Sequence, residues 1–365
     1  MFLPWVAVGS SSLAAEPAIR AIDIRGARIG GATIVTIDGD DLGKAPRLLL
    51  PFAAKQILRS GGTDKKAVFE IHTLKGDVEP GYYHLRVVSD GGVSLPVVIG
   101  VDALPQLAMM PQVDALPVAL HGSVAGASSV ETKFQGKAKQ RVMIEVEAQR
   151  FGSKLRPVIH LYNAKRLQLA WAWGTPALYG DCRLEATLPA DDTYTVAIHD
   201  AEYAAPAPSF FRLRVGEWSH VDQVFPLAVG KNQTAKLTAP GFTESVKTTS
   251  NAGLMPLAFP KAGVWSGPRP FVAVSPHAEF VEEPGREKPQ ELPPGLVGVS
   301  GRLATPYEED RYRVAVTPSK KVRLEVFAER VGSPLDVALV VRDEKGTQLA
   351  RAEDTPGSLD PVLEY

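Results

Sequence analysis

Apolar and polar residues alternate with a period of two over many short stretches of this chain. Residues 34–38 and 85–89 show the alternation, with aliphatic side chains at every second position. Such stretches, bounded by Gly, Pro, Asp and Asn, are typical of strands. Turn signals such as Asp38-Gly39 and Pro240-Gly241 recur at the close spacing of sandwich domains. The pattern, which contains no amphipathic stretch of three helical turns, predicts an all-β chain of tandem β-sandwich domains.

One strand-and-turn sequence occurs twice. Residues 141–155, RVMIEVEAQRFGSKL, align with residues 321–335, KVRLEVFAERVGSPL, and the alignment continues at the same separation to Thr175-Pro176 and Thr355-Pro356. Both copies alternate aliphatic residues with mostly charged or polar ones, which predicts the same half-buried strand twice. The aliphatic positions are Val142, Ile144, Val146 and Ala148 in the first copy, and Val322, Leu324, Val326 and Ala328 in the second.

The second copy reaches Tyr365 opposite Ala186 of the first copy. Two further predicted strands, at 192–198 and 210–215, follow in the first copy only. A sandwich cut at this point would leave strand edges unpaired. We therefore expect the chain to be the front part of a longer protein, in which a catalytic domain could follow Tyr365.

The amino terminus predicts export. An apolar run at residues 2–8 is followed by small residues at Ser12 and Ala14, which suit signal-peptide cleavage after Ala14, although no Lys or Arg precedes the run. We expect a periplasmic, cell-surface or extracellular location. No apolar run approaches the roughly 20 residues of a membrane-spanning helix, so the sequence predicts no transmembrane segment.

The composition excludes several classes of binding and catalytic site. The 40 Lys and Arg residues against 41 Asp and Glu leave a formal net charge of -1, which gives no global attraction for nucleic acid. The single cysteine, Cys182, excludes an internal disulfide framework and a Cys-based metal centre, and it reads as a small apolar residue. The seven histidines are scattered and form no hydrolase motif.

The repeats resemble the bacterial pre-peptidase C-terminal domain, abbreviated PPC. The matching motifs are EVEAQRFGSKL at 145–155, GTP at 174–176, DTYTV at 192–196 and, in the second copy, DTP at 354–356. The resemblance covers roughly 117–216 and 296–365 and implies jelly-roll-like β-sandwiches. Such domains accompany secreted peptidases and other surface proteins, and the resemblance implies binding, spacing or solubility rather than catalysis.

Residues 17–101 are similar to an immunoglobulin-like domain of the IPT/TIG type. The likeness rests on IRAIDIRG at 19–26, GGATIVTIDG at 30–39 and PGYYHLRV at 80–87, and residues 217–281 repeat its opening faintly. Pro-rich joints favour semi-extended linkers between domains. The predicted order is a signal peptide (1–14), the first immunoglobulin-like domain (17–101), a linker (102–116), the first PPC-like domain (117–216), a second, degenerate immunoglobulin-like domain (217–281), a Pro/Glu-rich linker (282–295) and an incomplete second PPC-like domain (296–365).

Calcium is the one cofactor that the resemblance suggests, because some PPC-type domains bind it. Hard cations need several converging carboxylate or carbonyl oxygens. The second copy offers candidate metal ligands at Glu283, Glu309, Asp310, Glu353 and Asp354, whereas the first copy has Ser129-Val130 and Trp173-Gly174 at the matching positions. The alternative is that these acids are solvated strand ends. The sequence indicates no other cofactor.

Trp171 and Trp173 are the candidate ligand-binding residues. They are two positions apart, so on a strand they share a face, and their counterparts Arg351 and Glu353 suggest that the face is exposed. Exposed indoles could stack on the sugar rings of a polysaccharide. The alternative, which we expect, is that they pack against the neighbouring sandwich or a loop such as 204–208.

Tyr83 and Tyr194 each follow a turn and begin a strand. A Tyr hydroxyl that bonds back to a loop carbonyl would hold such a corner, as in immunoglobulin-like sandwiches. We expect a stabilising role for both residues.

Together these observations predict a non-catalytic, exported binding or spacer region of a larger bacterial envelope or extracellular protein, with a polysaccharide or another envelope protein as partner. The first alternative is the accessory front end of a secreted hydrolase, such as a peptidase, with its catalytic domain beyond Tyr365. The second alternative is a carbohydrate-binding module that uses Trp171 and Trp173.

Overall fold

The alternating stretches fold as strands along the whole described chain, in a computed structural model that describes residues 15–60, 62–249, 251–260, 263–283, 285 and 287–365. The predicted signal peptide at 1–14 lies outside these residues. The described residues contain no α-helix, and their helical segments are three short 3₁₀ helices, Gln149–Phe151, Pro176–Leu178 and Glu329–Val331. The predicted all-β class of tandem β-sandwiches is confirmed. No helix of the described residues is long and apolar enough to cross a membrane.

The chain forms two compact units. One contains the residues up to 174 together with 180–218, and the other contains 175–179 and 219–365. Each unit is described separately.

The first sandwich of the first unit has two antiparallel-rich sheets. Their orders are β1-β3-β6-β5 and β2-β9-β7-β4, with β8 paired to β7. Val35, Ile37, Phe69, Leu85 and Ile99 lie in the core between them, each at most 1% exposed. The strands are β1 (Ala18–Ile22), β2 (Gly26–Arg28), β3 (Ala32–Asp40), β4 (Arg47–Leu49), β5 (Lys55–Ser60), β6 (Lys66–His72), β7 (Gly81–Ser89), β8 (Gly92–Val93) and β9 (Val97–Asp102).

The second sandwich contains the first copy of the repeat. A five-stranded sheet of order β10-β11-β18-β13-β16 faces a four-stranded sheet of order β12-β17-β14-β15. The predicted aliphatic row of β13 is completely buried between them. The strands are β10 (Gln106–Ala108), β11 (Val118–Ser123), β12 (Val130–Gly136), β13 (Arg141–Glu147), β14 (Pro157–Tyr162), β15 (Gln168–Trp173), β16 (Cys182–Thr187), β17 (Asp192–Asp200) and β18 (Phe210–Gly216).

The repeated motif encodes a turn that is held by one aspartate. In the first copy, Asp181 accepts the backbone N–H groups of Ala148 and Gln149 at 2.9 and 2.7 Å and the Nε of Arg150 at 2.7 Å. In the second copy, Asp360 accepts the corresponding groups of residues 328, 329 and 330 at 2.9, 2.7 and 2.8 Å. In both copies, therefore, the arginine of the motif and an aspartate distant in sequence close the same 3₁₀ turn.

The alternation predicts a solvated polar face for β13, but beyond Arg141 this face is buried. Glu145 and Glu147 have no solvent exposure, and Arg212 and Arg214 of β18 are at most 1% exposed. The difference has a physical reason: the first sandwich covers this outer face of the five-stranded sheet, and the buried glutamates of β13 and arginines of β18 lie beside opposite charges.

Four carboxylates and four guanidinium groups make up this buried charge cluster: Asp102, Glu145, Glu147 and Asp181, with Arg150, Arg183, Arg212 and Arg214. Glu145 contacts Arg150 and Arg183 at 2.5 Å and Arg214 at 2.8 Å. Burial opposes ionisation, but these guanidinium groups hold the pKa of Glu145 well below its usual value.

Two contacts of the cluster connect the sandwiches. Arg212 of β18 bonds Asp102, at the end of β9, at 2.5 Å and Glu147 at 2.7 Å, and the hydroxyl of Tyr82 on β7 donates to Glu147 at 2.5 Å. Gly100 makes room for Arg212, since a Cβ there would lie 2.6 Å from its Nη1. The two sandwiches of the first unit are thus joined through buried, paired charges.

Residues 102–116 were predicted as a semi-extended linker, but they are packed. Asp102 and Leu104 are at most 1% exposed, and β10 adds a parallel edge strand to the five-stranded sheet. The segment is packed because its Asp102 belongs to the charge cluster and because it continues directly into the second sandwich.

The second unit has smaller sheets. A three-stranded sheet of order β19-β23-β22 and a β20-β21 hairpin enclose a core that includes Leu237, Phe242 and Val272, and the remaining strands form two-stranded pairs. The strands are β19 (Ala228–Gly230), β20 (Thr234–Ala239), β21 (Phe242–Lys247), β22 (Gly253–Pro256), β23 (Phe271–Ser275), β24 (Ala278–Val281), β25 (Gln290–Glu291), β26 (Val297–Ser300), β27 (Tyr312–Arg313), β28 (Arg323–Glu325), β29 (Leu339–Arg342), β30 (Gln348–Ala352) and β31 (Val362–Glu364).

The second copy of the repeat is less buried than predicted. Of its aliphatic row only Ala328, 5% exposed, is buried, and β28 is limited to three residues. The reason is that fewer strands cover the row, because the described residues hold no counterpart of β17 and β18, which bury it in the first copy. The Pro/Glu-rich linker 282–295 also differs from the prediction, since its β25 pairs in parallel with β27.

Both predicted tyrosine corners are confirmed. The hydroxyl of Tyr194 donates to the carbonyl of Ala190 at 2.7 Å, and that of Tyr83 donates to the carbonyl of Glu79 at 2.8 Å.

We predict that Tyr194→Phe destabilises the first unit. Tyr194 is fully buried, so losing its hydroxyl leaves the Ala190 carbonyl short of a partner and costs about 1 kcal/mol. The melting temperature should fall by roughly 2–4 °C in calorimetry. Tyr307→Phe, at a fully exposed position, is the control; equal melting temperatures for both variants would contradict the prediction.

We predict that Arg212→Met is far more destabilising than a surface Arg substitution. It removes the buried ion pair with Asp102 and one of the two guanidinium partners of Glu147, which costs about 3–5 kcal/mol. Arg141, which pairs with Glu185 at 2.5 Å with 62% of its side chain exposed, gives the matched control Arg141→Met with little effect. Urea unfolding of both variants measures the difference, and similar midpoints would refute the role of the cluster.

We predict that stability falls as the pH drops below about 6.5, because of His121. This buried ring accepts the Arg25 backbone N–H at 3.0 Å and contacts Gln106, and burial, followed by the charges of Arg212 and Arg25, lowers its pKa well below the usual value. A depressed pKa in the folded state gives stability that is complete above the unfolded pKa and is lost at lower pH, by at most about 1.4 kcal/mol per pH unit.

Urea unfolding between pH 8 and pH 5 checks this expectation. His121→Gln should flatten the pH dependence below about pH 6.5, in the lower half of that range. An unchanged slope in the variant would show that His121 does not cause it.

Candidate functional site

Six aromatic rings gather on the outer face of the four-stranded sheet. Strand pairing sets them side by side: His160 lies opposite Trp171, and Val158 lies opposite both Trp173 and His199. Residues two apart on a strand share a face, which brings the alternate positions of β14 and β15 together. We call the group the aromatic patch; it consists of His160, Tyr162, Trp171, Trp173, His199 and Tyr203.

The two tryptophans and Tyr203 are the most exposed residues of the patch. Trp171 is 55% exposed and Trp173 is 63% exposed, and their rings meet edge-to-face at 6.0 Å and 64°. The expectation that they pack against a sandwich or a loop is therefore wrong. The counterparts Arg351 and Glu353 indicated that the tryptophan-bearing face is exposed, and this is confirmed. Both side chains are also at least half exposed in the second copy.

The other rings continue the surface across the strands. His160 lies nearly parallel to Trp171, with 18° between the planes and 6.4 Å between centroids, and to Tyr162, with 16° and 5.8 Å. His199 follows at 5.1 Å from His160, and Tyr203 stacks on His199 at 4.3 Å and 6°. The rings thus form a continuous aromatic row.

Polar groups border the row at one end. Arg166 lies over the Tyr162 ring, 4.6 Å from its centroid, and forms a two-pronged ion pair with Glu131 at 2.9 and 3.0 Å. Gln168 contacts His160 Nδ1 at 2.7 Å. These groups offer hydrogen-bond donors and acceptors beside an apolar surface.

Asp200 positions the other end of the row. Its carboxylate accepts backbone N–H groups of Arg156, Glu202 and Ala204 at 3.0, 3.0 and 3.3 Å, which fixes the loop that carries Tyr203. Burial alone would raise the pKa of Asp200, but these backbone donors lower it overall. The carboxylate therefore acts as a structural anchor of the loop.

The candidate calcium ligands are exposed or engaged by other side chains. Glu309 pairs with Arg311 at 2.9 Å, Glu353 pairs with Arg351, and Glu283 and Asp354 are exposed. Asp310 bonds to Glu282, and burial, then the charge of Asp310, raise the pKa of Glu282. Among the described residues, no three His, Cys, Asp or Glu side chains form a group that could hold a metal ion.

Cys182 lies in the core of the second sandwich with no exposure, and burial raises the pKa of its thiol well above the usual value. It is a packing residue, as the sequence indicated. Asp38-Gly39, predicted as a turn, lies instead within strand β3, because both residues pair with neighbouring strands and β3 ends at Asp40.

The sequence does not indicate the other four members of the aromatic patch, because its histidines are scattered and no motif marks Tyr162 or Tyr203. The period-two spacing of His160 and Tyr162 was visible, but their proximity to Trp171 depends on the register of β14 against β15.

No protein-family model and no curated protein matches the sequence. Among solved structures, the pre-peptidase C-terminal domain of a collagenase from Bacillus anthracis is 12% identical and aligns over 30% of this chain and 93% of its own, with a TM-score of 0.24. A periplasmic inhibitor of g-type lysozyme from Aeromonas hydrophila is 16% identical over 30% of this chain and 97% of its own, with a TM-score of 0.23.

A protein of the mixed-linkage glucan utilization locus of Bacteroides ovatus, solved with a mixed-linkage heptasaccharide, is 10% identical over 51% of this chain and 74% of its own, with a TM-score of 0.19. Likenesses with TM-scores this low carry no argument about function. The function has to be argued from the aromatic patch itself.

Proposed function

We propose that the chain is a non-catalytic, exported binding region whose aromatic patch binds the sugar rings of a polysaccharide. The observation that carries the proposal is the exposure of Trp171 and Trp173 within a row of six rings on one sheet face. An exposed apolar surface of this kind on a soluble protein is typical of an interaction site.

Sugar rings suit such a surface because they present apolar C–H faces and polar hydroxyl edges. Indole and phenol rings have the matching character, with an apolar face and one polar group at the edge. The polar border of Arg166, Glu131 and Gln168 supplies partners for sugar hydroxyls. A row of rings, rather than a closed pocket, fits an extended chain better than a single small molecule.

The sheet also makes the surface rigid. Trp171 and Trp173 lie on β15, which pairs with β14 along residues 158–162, and β14 in turn pairs with β17. Tryptophan and tyrosine lose little conformational entropy on binding because they have two side-chain torsions. A preorganised surface keeps more of the interaction energy as affinity.

The proposal is compatible with two roles for the rest of the chain. It could act as a spacer, or the chain could be the accessory front end of a secreted hydrolase. In both cases the patch would bring the protein to a glycan. An envelope protein as the partner of the patch is the competing outcome of the test.

The test is affinity electrophoresis of the purified chain through gels that contain single neutral or acidic polysaccharides. We expect retardation by at least one polysaccharide. Trp171→Ala and Trp173→Ala should each weaken the interaction about tenfold, the effect of losing more than about 1 kcal/mol at a central aromatic contact, and the double variant should abolish it.

Tyr307→Ala is the matched control, since Tyr307 is a fully exposed aromatic residue of the other unit. It should leave the retardation unchanged. No retardation by any polysaccharide, or equal loss in the control, would refute the proposal. Binding of an envelope protein in its place, abolished by the same double variant, would assign the patch to a protein partner.

A further inference from the structure

Two histidines of the aromatic patch have one ring nitrogen each tied to an oxygen. His199 Nδ1 lies 2.8 Å from the backbone carbonyl of Asp200, and His160 Nδ1 lies 2.7 Å from Oε1 of Gln168. With the amide oxygen of Gln168 facing His160, both partners are acceptors, and each Nδ1 carries its hydrogen and donates it. In the neutral rings, both Nε2 atoms then present a lone pair.

These two Nε2 atoms face each other at 3.0 Å. Two lone pairs at this distance repel unless a cation lies between them. The ring planes are 19° apart and the centroids are 5.1 Å apart, so the two rings approach each other through their Nε2 edges. His199 is only 8% exposed, which makes an unrelieved contact more costly than it would be in water.

We propose that His160 and His199 bind one divalent transition-metal ion, such as Zn²⁺, through their Nε2 atoms. Zinc–imidazole bonds are about 2.0–2.1 Å long, so nitrogens 3.0 Å apart can both contact one ion. Metal-binding histidines almost always donate the other ring N–H to a carbonyl or carboxylate oxygen, which is the arrangement of both rings here. Imidazole nitrogen suits zinc, copper and nickel rather than calcium.

Tyr203 covers one side of the pair without offering a donor in the plane of the imidazole. Its hydroxyl oxygen lies 3.4 Å from His199 Nε2, and its ring is stacked on that histidine. The described residues bring no third His, Cys, Asp or Glu to the pair. Water would therefore complete the coordination, and the ion would keep positions open toward the aromatic surface.

The charged groups around the pair are themselves paired. Asp200 is engaged by backbone N–H groups, Arg166 binds Glu131, and Arg156 binds Glu202. No carboxylate near the pair is therefore left to balance the charge of the ion. We expect weaker binding than at a structural zinc site with four protein ligands.

The experiment is isothermal titration calorimetry of the full chain without an affinity tag, using zinc chloride alone and no glycan. Wild type should bind one zinc ion. His160→Gln and His199→Gln should each lower the association constant at least tenfold. His84→Gln, at an exposed position on β7, should leave it unchanged.

Two further variants test the surroundings of the ion. Gln168→Leu removes the acceptor of His160 Nδ1 and should weaken binding about 10–100-fold. Tyr203→Phe keeps the stacked ring and removes only the oxygen above the imidazole, so it should leave the zinc affinity close to that of wild type. Thermal unfolding of each variant without zinc shows that it is folded.

Absence of zinc binding in wild type, or histidine variants that bind zinc as tightly as wild type, would overturn the proposal. A proton shared between the rings, or a Gln168 amide turned to donate to His160, would give that result. Because the titration contains no polysaccharide, its outcome is independent of the glycan proposal.

Discussion

The buried charge cluster determines which surfaces of the first unit remain free. Glu145, Glu147, Arg212 and Arg214 lie on the outer face of the five-stranded sheet, where Asp102 and Tyr82 of the first sandwich meet them. Such a face is tolerated in the interior only because each charge has a partner, and the net charge of four carboxylates and four guanidinium groups is balanced. With one sheet committed to this joint, the outer face of the opposite sheet is left to carry the aromatic patch.

The two copies of the repeat show that one local sequence can serve different environments. In both, an aspartate near the end of the motif holds the 3₁₀ turn and its arginine. In the first copy Arg150 is 6% exposed and shares Glu145 with Arg183 and Arg214, whereas in the second copy Arg330 is 38% exposed and binds Glu325 at 2.8 Å. The turn is encoded locally, and the burial of its charges depends on the strands and domains that cover it.

The sequence therefore predicted local features well and the consequences of assembly poorly. The all-β class, the repeated strand, the tyrosine corners and the apolar role of Cys182 follow from alternation and turn chemistry, which act over a few residues. The buried polar face of β13, the packed segment 102–116 and the exposure of Trp171 and Trp173 depend on which sheet covers which face. Strand register decided the rest, because it placed His160 and His199 next to the tryptophans.

The central claim, that the outer face of the four-stranded sheet is a glycan-binding surface, is tested most directly by the indole N–H signals of the described tryptophans in an NMR titration with polysaccharide fragments. The account predicts that the signals of Trp171 and Trp173 shift, whereas those of Trp218 and Trp265, which are 5% and 6% exposed, stay in place. Unchanged signals of Trp171 and Trp173 with every fragment, or shifts confined to the buried pair, would contradict it.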